Sequence, residues 1–203
     1  MPCGKPVLLL RFTRSDTAVH RETPHGRVSR HESRPNCPNS YRITGFRGGD
    51  QMSFEIRPAT PEDRDRIVLF NQALARETEG RMLDRDVLTA GVSEMLADPV
   101  HGQYFVAEDG DEIVGQLAVT REWSDWRNGD IWWIQSVYIA KEHRRKGVYQ
   151  ALHGHVREVA RAAGVIGLRL YVERDNEGAQ NTYAALGMHR SPYVMYEEFW
   201  PKT

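Results

Sequence analysis

The chain reads as one α/β domain, a sheet of mixed strand direction with helices on both sides. Three observations predict this. Strand-length apolar runs alternate with longer stretches of helical period, the connections between them are short, and the apolar run Val137-Tyr138-Ile139 passes through a basic turn straight into an amphipathic stripe. Length and composition agree: 203 residues, 40% hydrophobic and 27% charged, suffice for one buried core.

The elements follow in order. Residues 54–57 read as a first strand. Thr60-Pro61-Glu62-Asp63 is a helix start, with a capping hydroxyl, proline at the first helical position and acids in the first turn. Ile67, Val68, Phe70 and Leu74 give that helix an apolar face. Val87, Leu88, Val92, Met95 and Leu96 repeat the pattern in a second helix, which Asp98-Pro99 ends. Strands are expected at 104–107 and 113–120, joined by the hairpin signal Asp109-Gly110, and at 131–139. A third helix carries Val148, Ala151, Leu152, Val156, Val159, Ala160 and Ala163 on one stripe and stops at Gly164. A strand from Leu168, a short helix through Tyr183 and a last strand pair at 193–199 complete the series.

Charge separates the first quarter from the rest. Residues 1–51 hold nine Lys/Arg against four Asp/Glu, a net of +5, which leaves 18 against 24, a net of −6, for residues 52–203. In the first stretch Pro, Arg, Ser, His and Gly are scattered without period, too little apolar surface to offset chain entropy, so it is expected to be disordered or a non-native extension. The domain is then expected at 52–203, beginning at Met52. The two cysteines, Cys3 and Cys37, fall in the tail and support neither a disulfide framework nor a metal cluster. No apolar run approaches the roughly 20 residues of a membrane helix, and 7–10 is too short for a signal segment, so a cytoplasmic protein is expected.

The basic turn is the most informative segment. It runs Arg144-Arg145-Lys146-Gly147-Val148-Tyr149-Gln150 into the third helix. A helix start offers unpaired N–H groups and the positive end of the helix dipole, glycine lets a phosphate approach the backbone, and three cations add charge. That combination suits a diphosphate better than a carboxylate. Downstream, residues 168–188 carry Asn176, Ala179, Tyr183, Leu186, Gly187 and Met188 at the spacing N-x-x-A-x-x-x-Y-x-x-L-G-x.

With both segments in this order, residues 53–199 resemble the GNAT superfamily of acetyl-CoA-dependent N-acetyltransferases. The turn resembles that family's R-x-x-G-x-G/A pyrophosphate loop, with Tyr149 where the second small residue usually sits. The resemblance implies a mixed, mostly antiparallel twisted sheet of six to seven strands flanked by about four helices. It implies acetyl-CoA as co-substrate, held by the loop residues 144–150, by the strand backbone at Val137, Tyr138 and Ile139, and by Asn176 and Tyr183. The same strand backbone would hold the acetyl carbonyl oxygen, and Tyr183 aligns with the tyrosine that protonates the departing coenzyme A sulfur in many relatives. Asn176 reads equally well as a helix cap.

The base departs from the family pattern. Many relatives carry a glutamate two residues before the position of Val137; here Gln135 stands there and cannot accept a proton at any useful pH. An alkylamine of pKa near 10.4 is almost wholly protonated at pH 7, so a base or water relay that removes its proton supplies up to about 4 kcal/mol. Glu122, Asp125, Asp130 and Glu173 are the candidate acids of the cleft, Glu122 and Glu173 foremost. His143, His153 and His155 are expected to face solvent.

Four of the five tryptophans, Trp123, Trp126, Trp132 and Trp133, fall within eleven residues beside those acids. Trp132 and Trp133 point to opposite faces of a strand. Trp123 and Trp126 fit an aromatic, acidic rim for a cationic amine, and hairpin or homodimer packing fits them as well. The expected reaction is direct attack of a small-molecule primary amine on the thioester, without metal, membrane or nucleic-acid partners. A non-catalytic acyl-CoA-binding regulatory module and an acetyltransferase of protein lysines or N-termini are the alternatives.

Overall fold

Antiparallel pairing of chain neighbours builds most of the sheet. The computed structural model describes the backbone of residues 41–47 and 50–200 and the side chains from Phe54 to Trp200. These residues belong to one unit, Cys37–Thr203. Strands β1 (Tyr41–Arg47), β2 (Asp50–Pro58), β3 (Gln103–Asp109), β4 (Glu112–Ser124), β5 (Gly129–Ile139) and β6 (Gly167–Arg169) lie in the sheet in chain order. Only β6 runs parallel to its neighbour, pairing residues 167–169 with 131–133 of β5. Four α-helices occur among the described residues, α1 (Arg64–Glu79), α2 (Arg85–Ala97), α3 (Val148–Ala162) and α4 (Glu177–Ala185).

Alternation along the strands sorts the core into two faces. Phe105 and Leu117 pack with Ile134, Leu152 and Val156, so α3 covers one face. Their neighbours Tyr104 and Ala118 pack with Ile67, Val68 and Val92, so α1 and α2 cover the other. Burial of one such aliphatic side chain contributes about 1.5–3 kcal/mol. Gly115 on β4 allows the close approach of α3, since a Cβ there would sit 2.7 Å from Ile139 Cδ1 and 3.0 Å from Val148 Cγ1.

Helix α1 starts as the sequence predicts. A short 3-10 turn at Pro61–Asp63 precedes it, and the Thr60 N–H donates to Asp63 Oδ2 at 2.7 Å. Arg57 Nη1 donates to the same carboxylate at 2.7 Å, and Arg57 Nη2 pairs with Glu108 at 2.5 Å. Helix α2 begins at Asp84, whose side chain accepts from the N–H groups of Asp86 and Val87, and ends at Asp98.

Four expectations are corrected. The first strand begins at Asp50 and pairs with a preceding one, β1, inside the stretch expected to lack structure; residues 1–40, 48 and 49 lie outside the described residues. Alternation of Tyr41 and Ile43 with Arg42 and Thr44 is the strand signal that the surrounding composition obscures. No strand forms at 193–199, where Pro192 supplies no N–H and Glu197-Glu198 interrupts the apolar alternation. The expected strand from Leu168 is only the three residues of β6. His153 and His155, expected at the surface, are each 2% exposed, because α3 packs on the sheet along a wider arc than its aliphatic stripe.

Every described core residue lies at or beyond Phe54. A shortened protein beginning at Met52 is therefore expected to melt within a few degrees of the full chain and to keep its coenzyme affinity. Thermal melting and calorimetry of the two proteins check this; a drop of ten degrees or more would make β1 integral to the domain.

Candidate active site

The turn between β5 and α3 is shaped by two left-handed residues. Arg145 has φ of +62° and Gly147 φ of +88°. Residues 141–143 form a 3-10 turn, after which the chain reverses through 144–147 and enters α3 with Gly147 as N-cap. No side chain caps α3, and the first N–H bonded back into the helix is that of Ala151, to the Gly147 carbonyl at 3.0 Å. The amides of Val148, Tyr149 and Gln150 precede it. A Cβ built on Gly147 would have nothing within 4 Å, so the space in front of these amides is open. Arg145 and Lys146 are exposed beside it. Amides, dipole, open space and two exposed cations fit the diphosphate of coenzyme A.

Arg144 is engaged differently. Its Nε donates to the Ile139 carbonyl at 3.0 Å, its Nη2 to Glu77 Oε2 at 2.7 Å, and its guanidinium lies 5.3 Å from the centre of the Tyr138 ring. Tyr138 in turn donates its hydroxyl to Glu77 Oε1 at 2.9 Å. Partial burial would raise the Glu77 pKa, but the Arg144 and Tyr138 donors outweigh it and hold the carboxyl below its ordinary value. At this exposure the pair contributes at most about 1 kcal/mol, so its effect is to fix the turn against the end of α1 rather than to stabilise the fold. Glu77 gave no signal in the sequence. It stands 67 residues from Arg144 in an unremarkable helical stretch.

The strand entering the turn is bulged where the resemblance requires free amides. Gln116 on β4 pairs with Tyr138, but Ala118 pairs with Gln135, so Leu117 stands opposite both Ser136 and Val137. Ser136 has φ of +50°, an uncommon value for a residue with a side chain. Gln135, at the position of the family base, donates from Nε2 to Thr120 Oγ1 at 2.7 Å.

Tyr183 reaches the start of α3 from α4. Its ring meets that of Tyr149 edge-on, with centroids 5.6 Å apart, and Tyr149 in turn lies 5.9 Å from the His153 ring. Burial pushes the pKa of both phenols up, so each keeps its proton throughout the neutral range. The Tyr149 hydroxyl and both His153 nitrogens are buried without a hydrogen-bond partner among the described residues. Burial, with Arg157 nearby, lowers the His153 pKa and keeps the ring neutral. Asn176 caps α4, its Oδ1 accepting from the Ala179 N–H at 3.0 Å, which realises the capping reading of that residue.

The candidate bases occupy two different places. Glu122 on β4 accepts from Trp133 Nε1 and from Arg169 Nη1, the latter at 2.6 Å. These donors, the Trp133 bond foremost, lower its pKa, the direction opposite to that of a base tuned toward neutrality. Glu173 is exposed in the turn between β6 and α4, where its carbonyl accepts from the Asn176 N–H at 3.1 Å. Asp125 accepts from the Trp126 N–H at the tip of the β4–β5 hairpin. Trp123 and Trp126 are exposed there, whereas Trp132 is in the core and Trp133 packs against Tyr171. His143, expected to face solvent, is partly buried with Nε2 3.5 Å from Asp109 Oδ2.

A mixed sheet whose fifth strand is bulged and then feeds a helix through a left-handed basic turn is the architecture of an acyltransferase. The chain belongs to the acetyltransferase (GNAT) family, whose model matches residues 70–188. It is similar to a "possible acetyltransferase" from Clostridium difficile 630, at 46% identity and a TM-score of 0.69 over 73% of this chain and 99% of that one. A "probable acetyltransferase" is similar at 22% identity and a TM-score of 0.65, over 73% of this chain and 99% of that one. An aminoglycoside acetyltransferase from an uncultured soil metagenomic sample is similar at 21% identity and a TM-score of 0.59, over 74% and 100%. These last two show the fold alone. No curated protein matches the chain. No helix among the described residues is long and apolar enough to cross a membrane.

Gly147 is the position where the geometry of the turn depends most on the absence of a side chain. A β-branched residue cannot hold φ of +88° without strain, so Gly147→Val is expected to weaken acetyl-CoA binding about tenfold or more while the melting temperature changes little. Calorimetric titration checks this, and an unchanged affinity would separate the turn from coenzyme binding.

Proposed function

We propose that this acetyltransferase moves the acetyl group of acetyl-CoA to a primary amine by direct attack of the bound amine on the thioester. The observation that carries the reading is the bulge at Ser136 and Val137 immediately before the anion-binding turn. It interrupts the β4–β5 pairing on the strand that leads into the start of α3, so strand backbone for the acetyl carbonyl and the helix N-terminus belong to one continuous segment. In this reading the amides of Gly147 to Gln150, with Arg145 and Lys146, hold the diphosphate. The Val137 backbone polarises the carbonyl as the amine adds. The C–S bond then breaks, the Tyr183 phenol gives its proton to the departing sulfur, and the proton that the attacking nitrogen sheds to become an amide restores the phenol through water.

The amine must arrive neutral or lose its proton in the site. Gln135 cannot take that proton, and the donors on Glu122 make its carboxylate a weaker base than an ordinary glutamate. Proton removal is therefore assigned to water, with Glu173 foremost among the remaining candidate carboxylates to receive it. Acceptor choice follows from charge. The hairpin tip presents Asp125 and Asp130 beside the exposed rings of Trp123 and Trp126, a field that draws a protonated amine.

Two experiments test the proposal. Free-thiol release from acetyl-CoA, measured over a panel of amines, is expected to favour cationic acceptors. Asp125→Lys should raise their Michaelis constants much more than that for acetyl-CoA, by a factor that shrinks with added salt. A preference for acidic or neutral amines, or a variant that behaves like the parent, would make the hairpin tip structural. Tyr183→Phe is expected to lower turnover about a hundredfold and leave acetyl-CoA affinity within a few-fold. Because burial raises the Tyr183 pKa, the acid stays protonated as pH rises, so the parent's activity should persist beyond the ordinary tyrosine range near pH 10 before that limb falls. Equal turnover by the phenylalanine variant would return Tyr183 to a packing role.

A further inference from the structure

Gln116 is the most deeply buried amide among the described residues that touch the bulge, with 0% of its surface exposed. It sits on β4 directly before Leu117, the residue that faces Ser136 and Val137 together. Its Nε2 makes two bonds. One goes to the Ser136 carbonyl at 3.2 Å and the other to Asn71 Oδ1 on α1 at 2.8 Å. Asn71 Nδ2 donates onward to the Tyr104 hydroxyl at 3.1 Å, so the network links α1, β3, β4 and the bulge of β5. Its other end is unsatisfied, since Gln116 Oε1 is buried with no partner among the described residues.

The buried oxygen without a donor destabilises the fold, while the Nε2 bonds satisfy the Ser136 carbonyl and Asn71 Oδ1, two acceptors that an apolar residue would leave unpaired. The first of these acceptors is the one that bears on the site, at Ser136. Its backbone is held at φ of +50°, where a residue with a Cβ sits only if the surroundings impose it. The Gln116 amide grips the carbonyl of the peptide whose N–H belongs to Val137. Fixing that carbonyl fixes the plane of the whole peptide, and with it the direction of the Val137 N–H.

We propose that Gln116 is a positioning residue that aims the Val137 N–H at the acetyl carbonyl oxygen, with Asn71 and Tyr104 holding the Gln116 side chain in turn. This rests on the reading of the bulge as the carbonyl-binding element. Gln116 touches neither the thioester nor the amine. Its effect is on the geometry of a donor whose value depends on lying in line with the charge that develops on the oxygen.

The test uses acetyl-CoA labelled with carbon-13 at the acetyl carbonyl, bound to the full chain and read by difference infrared spectroscopy. In the parent the labelled carbonyl band is expected at lower wavenumber than in free acetyl-CoA. In Gln116→Leu it should move back toward the free value while calorimetric affinity stays within about threefold, because the diphosphate turn is untouched. Turnover with the best amine of the panel should fall about tenfold or more, with little change in the Michaelis constant for acetyl-CoA. Should the leucine variant fail to fold, Asn71→Ala decides. It leaves Gln116 in place without one of its two acceptors, and a partial loss of the band shift is expected. A parent shift that persists undiminished in the variants overturns the Gln116 assignment alone. A parent band that coincides with that of free acetyl-CoA overturns that assignment together with the carbonyl-binding role of the bulge.

Discussion

The pairing of β4 with β5 is the constraint on which the rest of the site depends. It is the longest ladder among the described strands, running from Gly115 opposite Ile139 to Ser124 opposite Gly129, and it contains one irregularity. Below the bulge the ladder carries Trp132 and Ile134 into the core under α3. Above it the strand must leave the sheet, and the reversal through Arg145 and Gly147 turns it into α3. The same backbone event thus exposes peptide groups on β5 and sets the helix start close by. A regular ladder would pair those groups with β4 and leave nothing for a ligand to meet.

Electrostatics reinforces this arrangement at modest energetic cost. Glu77 ties Arg144 and Tyr138 together, Lys141 lies 3.5 Å from the same carboxylate, and the cluster is half-exposed. Each pair is worth no more than about 1 kcal/mol. Their importance is geometric: they anchor the base of the turn to α1, which leaves Arg145 and Lys146 uncommitted at its tip. Tyr183, Tyr149 and His153 form a ring series beside the start of α3 that burial keeps uncharged.

The sequence was most legible where one local pattern decides the structure. The helix start at Thr60, the end of the second helix at Asp98, the Gly110 hairpin and the α3 stripe are each carried by a few consecutive residues, and each element stands where the sequence puts it. What escaped depends on distant partners. Nothing near Gln116 announces Asn71 and Ser136, and nothing near Arg144 announces Glu77. His153 and His155 are buried although the sequence points them to solvent, because titratable side chains on a helix beside a basic turn look solvent-facing unless the width of the sheet beneath is known. The strand expected at 193–199 shows the converse, since β-favouring residues form no strand where little ladder is available to receive them.

The central claim is that the α3 start and the bulge of β5 act as one coenzyme-binding surface. Titrating nitrogen-15-labelled protein with coenzyme A and then with acetyl-CoA, and following backbone amide resonances, tests it most directly. The account predicts that both ligands move the amides of Gly147, Val148, Tyr149 and Gln150, and that the acetylated form moves Val137 further. Saturable binding that leaves residues 147–150 and 137 in place would contradict it.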